Sequence, residues 1–325
     1  MPYPALTRRQ LALCLAALAL AGSAAAQTPA WPAKPLRIVL TSTPGAPSDI
    51  VMRIAGEKLQ ASLKQTVVIE NKGGAGGNLA SADVARAAPD GLTWLWTTDN
   101  TLTVNPHVYK TLGFKPEDLT PVSVGSVFSQ TLVCNPSLGV KTLAEFVKKA
   151  KASKLAYASG GAGVPGHLAM ELLASAADIE MEHIPYKGPA PAAQDVLGGQ
   201  VACGFLAGPT VLPHVRSGRL VALAVSGTHR SPVLPEVPTV AEAGFPGYDA
   251  SFLLVMMAPK GTPANIVAAM NKALVEALKS PDVVEKLKAT DQTVVADTPA
   301  QAAARLAGLS KQWGAVARKI QLSLD

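Results

Sequence analysis

At 325 residues, with 29 basic and 23 acidic side chains, the chain has room for two domains and a net charge of only +6. Its lysines are dispersed, with no basic run interleaved with aromatics, which argues against a nucleic-acid surface. Scattered histidines (107, 167, 183, 214, 229) and three cysteines show no metal-ligand spacing, so no metal or other cofactor is expected.

The chain begins with Arg8-Arg9, an apolar run from Leu11 to Ala21, and Ala24-Ala25-Ala26. This pattern predicts a cleaved export signal over residues 1–26 and a mature protein in the periplasm from Gln27. The apolar run is about half the ~20 residues of a spanning helix, and no later segment comes close. Thr7-Arg8-Arg9-Gln10-Leu11 also resembles a twin-arginine signal, so folded and unfolded export both stay open. Removing 26 residues leaves 299, with 27 basic against 23 acidic side chains. The remaining cysteines, Cys134 and Cys203, fall in apolar strands and fit either a disulfide or two buried thiols.

Strand and helix signals then alternate. Leu36-Arg-Ile-Val-Leu40 predicts a buried strand; Val51, Ala55, Leu59 and Leu63 mark one face of a helix over 49–63; Thr66–Glu70 and Leu92–Thr97 predict further strands. Later strands are expected at Thr131–Cys134, Leu155–Ala158, Ile179–Ile184, Val201–Leu206, Leu220–Ser226 and Phe252–Ala258. Thr142-x-x-Glu145 and Thr239-x-x-Glu242 are capping boxes, and Pro189, Pro263, Pro281 and Pro299 sit where first helical residues belong. Leu306, Leu309, Trp313, Val316 and Ile320 give the last helix an amphipathic face. The alternation predicts an α/β fold with mostly parallel sheets covered on both sides.

In such sheets, ligands sit beyond the carboxyl ends of the strands, where helix N-termini point. Four junctions share small residues and hydroxyls: Thr41–Asp49, Thr97–Thr101, Ser159–His167 and Pro185–Pro191. Amides at a helix start lack intrahelical partners and carry the positive end of the helix dipole, so such loops can hold a carboxylate or phosphate without a buried cation. Gly161-Ala-Gly163-Val-Pro-Gly166 also fits G-x-G-x-x-G, with Glu180 and Glu182 downstream, which keeps an exported dinucleotide enzyme as an alternative. Against it, the motif falls mid-chain and Pro165 removes a backbone donor. No G-x-S-x-G occurs; His167 near Ser159 fits a loop-capping histidine touching ligand better than a catalytic base.

Glu70-Asn-Lys-Gly-Gly-Ala-Gly-Gly-Asn78, Ala88-Pro-Asp-Gly91, His183-Ile-Pro-Tyr-Lys-Gly188, Leu197-Gly-Gly-Gln-Val201 and Arg230–Gly244 resemble the tripartite tricarboxylate transporter solute-binding proteins, the Bug receptors, across essentially the whole mature chain. The resemblance implies a type II periplasmic-binding-protein fold, two α/β domains around a central ligand cleft, and carboxylate capture by hinge closure rather than catalysis. It also implies an inner-membrane two-subunit permease as partner, or alternatively a sensor kinase. Where the family's first loop usually reads Phe-Pro-Ala-Gly-Gly-x-Thr-Asp, this chain has Ser42, Thr43, Pro44, Gly45, Ala46, Pro47, Ser48 and Asp49. Ala162 and Val164 stand where relatives often carry Asn and Thr, and Leu206 where an Asp is common. These departures point away from a highly charged ligand such as citrate.

The expected division is one domain from 27–128 plus 250–325 and another from 129–249, in a monomer. Expected ligand contacts are Thr43, Ala46, Ser48, Asn78, Thr98, Ser159, Gly163, His167 and Gly188, with no catalytic residue.

Overall fold

The first lobe grows from β1 (Leu36–Leu40), apolar except for the half-buried Arg37, with Leu36, Ile38, Val39 and Leu40 wholly buried. The computed structural model describes residues 31–319 and 322–324; the expected signal segment and Ile320 lie outside them. After β1 come α1 (Pro47–Leu63), β2 (Val67–Asn71), α2 (Asn78–Ala85), β3 (Thr93–Thr98) and two single-turn helices, α3 (Asn100–Thr103) and α4 (Asn105–Val108). A strand the sequence did not betray, β4 (Leu119–Phe128), is separated from β5 (Gln130–Cys134) only by Ser129. The second lobe continues with α5 (Leu143–Ala152), β6 (Leu155–Ser159), α6 (Pro165–Ala177), β7 (Met181–Pro185), α7 (Pro189–Leu197), β8 (Cys203–Ala207), α8 (Gly208–Arg216) and β9 (Val221–Val225). The chain then returns to the first lobe through β10 (Phe252–Pro259), α9 (Ala264–Lys279), α10 (Pro281–Ala289), β11 (Gln292–Val294) and α11 (Pro299–Lys319).

Two sheets result, ordered β11-β4-β10-β3-β1-β2 and β7-β6-β8-β5-β9. The expectation of mostly parallel sheets needs correction. β1 pairs in parallel with β2 and β3, and β6 with β7 and β8. However, β10 runs antiparallel to β3 and β4, β11 to β4, and β5 to β8 and β9. The strands that carry the chain between lobes cause this: β5 continues almost directly from β4, and β10 begins after the return from β9.

Large aromatic side chains fill both lobes, Trp94 and Trp96 with Met52 and Leu59 in the first and Tyr157, Phe146 and Phe205 in the second, and all belong to one continuous apolar core. Burying each large side chain stabilises by about 1.5–3 kcal/mol. Trp96 Nε1 donates to the Ser48 carbonyl at 3.0 Å, so the core of β3 fixes the first turn of α1 at the cleft. Gly125 in β4 is required by the same ring: a Cβ there would lie 2.4 Å from Trp96 Cη2. The Thr142–Glu145 box caps α5 as expected. The Thr239–Glu242 box forms both of its hydrogen bonds but starts no helix, because Gly244 and Gly247, at φ +116° and +83° around Pro246, turn the chain away. Pro263 precedes α9 as its N-cap instead of opening it. Cys134 and Cys203 face each other in register across β5 and β8 as buried free thiols.

Candidate functional site

Five helices, α1, α2, α6, α7 and α8, start at the carboxyl ends of β1, β2, β6, β7 and β8, where the lobes face each other. Between the lobes lies a cavity of about 650 Å³, within the ~300–1,000 Å³ typical of small-molecule sites. All four small-residue loops picked out in the sequence contribute to its wall, through Thr41–Ser48, Thr98 and Asn100, Gly160–Ala162, and Tyr186–Gly188. A fifth loop, Gly73–Gly77, joins them, as do Phe128 and Gln130 on the crossing strands and Phe205–Ala207 at the end of β8.

Of the nine expected contacts, Thr43, Ala46, Ser48, Thr98 and Gly188 line the cavity. The other four sit one layer behind it. Asn78 is 3% exposed and accepts at Oδ1 from Asn105 Nδ2 at 2.7 Å. Ser159 donates to the Gly161 carbonyl at 2.8 Å and meets His183 Nε2 at 2.7 Å. Gly163, at φ +72°, packs against Tyr109 and Leu324. His167 accepts the Gly163 amide at Nδ1, so it caps the loop, as expected, from behind the cavity wall.

A stack of rings supports this loop. His167 lies 4.0 Å from His183, and His183 4.9 Å from Tyr157, in near-parallel planes. Tyr157 donates to Glu171 Oε1 at 2.5 Å. Burial pulls the His167 pKa down to about 3, with help from His183, and burial alone pulls His183 down to about 4. Both imidazoles are therefore neutral, burial outweighing the Glu171 carboxylate that lies 3.8 Å from His167 Nε2.

On the opposite side, Asp49 in the first turn of α1 organises the first loop. Burial works against its charge, but hydrogen bonds from Arg53, the Gly45 amide and Asn71 hold its pKa below the usual carboxylate range. The Ser42 and Ser48 hydroxyls pair beside it. The lobes meet where Gly188 passes Thr43, so closely that a Cβ on Gly188 would fall 2.6 Å from Thr43 Oγ1. They are also tied by Asn100 Nδ2, which donates to the Gly163 carbonyl at 2.9 Å and the Gly76 carbonyl at 3.1 Å.

Among the described residues, no Asp, Glu, Arg or His side chain lines the cavity, and its one cationic side chain is the exposed Lys187. No group of three or more candidate metal ligands occurs among them, and no described helix is long and apolar enough to cross a membrane. Small-residue loops, hydroxyls and helix N-termini facing one cavity from two sheets can hold an anion through fixed dipoles.

Two α/β lobes with this topology and an interlobe cavity define a periplasmic-binding-protein fold, the fold of solute receptors. The chain belongs to the tripartite tricarboxylate transporter family receptors, whose model matches residues 51–322. It is 38% identical over 320 residues to Protein BugT of Bordetella pertussis, covering 96% of this chain and 97% of that protein. It is similar to the structure of R. palustris Rpa4515 with adipate (TM-score 0.86, 31% identity, 90% of this chain and 99% of that one). A further match is the periplasmic binding protein BugD (TM-score 0.85, 31% identity, 90% and 99%). These relatives are solute-binding proteins, not enzymes, which sets the dinucleotide-enzyme alternative aside. Gly161 and Gly166 here line one wall of an interlobe cavity, with Gly163 behind it.

Proposed function

We propose that this chain is the periplasmic receptor of a tripartite transporter: it captures a small carboxylate between its lobes and presents it to a two-subunit inner-membrane permease. The observation that carries this reading is the cavity itself, walled by small-residue loops and helix starts from both sheets and free of acidic side chains. Adipate in the related R. palustris protein supports the ligand class. The first lobe, residues 27–128 plus 250–325, receives the carboxylate on the amides and hydroxyls around Thr43, Ser48 and Thr98. The second, residues 129–249, closes over it as a hinged body in a monomer, using Gly188 and the Gly160–Ala162 loop. Only the closed form makes both sets of contacts, so ligand shifts the population toward it.

Thermal unfolding across mono- and dicarboxylates tests this reading. A ligand at 100 times its Kd stabilises by about 2.7 kcal/mol, a rise of several degrees in Tm. If no carboxylate raises Tm at millimolar concentration, the reading fails. Uptake of the bound acid lost on deleting the receptor or an adjacent permease gene tests the transport role.

A further inference from the structure

We infer that the ligand is a monocarboxylate with an apolar body, and that the second lobe selects against a second carboxylate. The inference rests on the carboxylate reading above and divides the cavity into two chemically different halves.

The polar half is the first lobe together with the Gly160 and Gly188 turns of the second, which hydrogen-bond to each other and place Gly188 against Thr43. Its wall brings the hydroxyls of Thr43, Ser48 and Thr98 together with the glycine-rich stretch Gly73–Gly77. Lys187 stands between the two halves, flanked by Gly188, which lies against Thr43, and by Tyr186. Its side chain is exposed, so water screens whatever charge it meets.

The other half is the second-lobe wall of Val164, Tyr186, Phe205 and Leu206, with Phe128 and the neutral Gln130 where the chain crosses between lobes. None of these offers a charge. The Tyr186 hydroxyl is already donated to Asp195 Oδ2 at 2.5 Å, which leaves its ring as the available surface. Phe205 and Leu206 are almost fully buried at the carboxyl end of β8 and extend the lobe's core into the cavity. A carboxylate pressed against this wall loses its hydration without gaining a counter-charge, which is unfavourable. A methylene chain or ring placed there leaves water for an apolar surface, which is favourable.

Hexanoate and adipate provide a matched test, since both have six carbons and differ in whether the far end carries a second carboxylate. Isothermal calorimetry on the mature protein is expected to give hexanoate at least tenfold tighter binding than adipate, with benzoate also preferred over adipate. Equal or tighter adipate binding overturns the inference and leaves the carboxylate reading intact; failure of every acid to bind overturns both.

The second arm is Val164→Lys, at a half-exposed position that accepts a lysine without repacking the core. In a variant folded by circular dichroism, the new cation is expected to cut the hexanoate-to-adipate ratio at least fivefold. An unchanged ratio overturns the placement of the ligand body against this wall.

Discussion

The Gly163 amide donates to His167 Nδ1 at 3.0 Å. The bond closes the Gly160–Val164 loop from behind and fixes the tautomer: Nδ1 accepts, so the proton sits on Nε2, 3.8 Å from Glu171 Oε1. A neutral imidazole, held so by burial, is the form this contact needs, because a protonated ring has no acceptor left for the amide. His167→Ala leaves a buried N–H unpaired, a loss of about 1–3 kcal/mol. It is expected to weaken ligand binding about tenfold by loosening the cavity wall. His167→Asn, whose Oδ1 can take the place of Nδ1, is expected to recover most of the affinity. Calorimetry and thermal unfolding on the two variants check this; equal affinities for Ala and Asn count against a positioning role.

The same stack predicts a pH dependence. His167 and His183 are held at about 3 and 4 against an ordinary 6.5. The unfolded chain therefore binds protons that the folded one refuses. The stability due to their neutrality is complete above pH 6.5 and is lost as pH falls toward 4. Of the groups facing them, Tyr157 and Ser159 are neutral, and Glu171, 3.8 Å from His167 Nε2, favours the protonated ring, but burial outweighs it and the sign stands. Asp99 acts in the opposite direction. Fully buried, it is pushed up to about 7, despite hydrogen bonds from the Leu253 amide and Thr103 hydroxyl. Its contribution is complete below pH 3.8 and is lost as pH rises toward 7. Between pH 5 and 6.5 the two effects oppose each other. Asp99→Asn is therefore expected to steepen the gain of stability with pH, by up to about 1.4 kcal/mol per pH unit for one proton. Urea unfolding at several pH values measures the slope; parallel slopes for the two proteins contradict the assignment.

Two glycines separate close approach between the lobes from close approach to ligand. Gly163 invites a steric test in which Val blocks the ligand. In the folded protein a Cβ there would fall 2.7 Å from Leu324 Cδ1 and 3.1 Å from Tyr109 Oη, at φ +72°. Gly163→Val thus acts on packing between the lobes and on backbone strain, and is expected to cost both stability and affinity. Gly188→Ala is cleaner for closure, since the nearest atoms its Cβ would meet all belong to Thr43 across the cleft, though φ +110° adds strain within its own turn. Small-angle scattering is expected to show Gly188→Ala remaining extended at ligand concentrations that compact the parent protein. If Thr43→Ala, which removes the obstructing Oγ1, does not restore part of that compaction, the steric account fails.

Much of this was legible in the sequence. Leu36–Leu40, interrupted only by Arg37, and Phe252–Ala258 are apolar runs of strand length, and the loops after β1, β3, β6 and β7 announce themselves by small residues and hydroxyls. β4 stayed hidden because Thr120, Pro121, Ser123 and Gly125 look like turn chemistry, although the glycine is there to admit Trp96. Phe128, Gln130 and Phe205 carry no local signal; they belong to the site only because strands from distant parts of the chain end at the same cleft. Loop membership also does not say which side of a loop faces inward. Asn78, Ser159, Gly163 and His167 therefore stand behind the wall while Thr43, Ala46 and Gly188 form it.

Gln130 shows what such a hidden position can do. It is 5% exposed, lines the cavity, and its backbone amide is already satisfied by Ser226 Oγ at 2.9 Å. Its side-chain amide has no protein hydrogen bond among the described residues, so its donors and acceptor are left to whatever fills the cavity. Holding such a group in readiness opposes folding in the ligand-free protein, because a buried polar group without a protein partner costs about 1–3 kcal/mol, less whatever water recovers. Gln130→Leu is therefore expected to leave the ligand-free protein as stable or up to about 1 kcal/mol more stable, while weakening ligand binding about tenfold. Denaturant unfolding and calorimetry on the same preparation separate the two effects. A variant that loses stability and keeps its affinity would make Gln130 part of the scaffold, and the neutral polar contact would have to come from elsewhere on the wall.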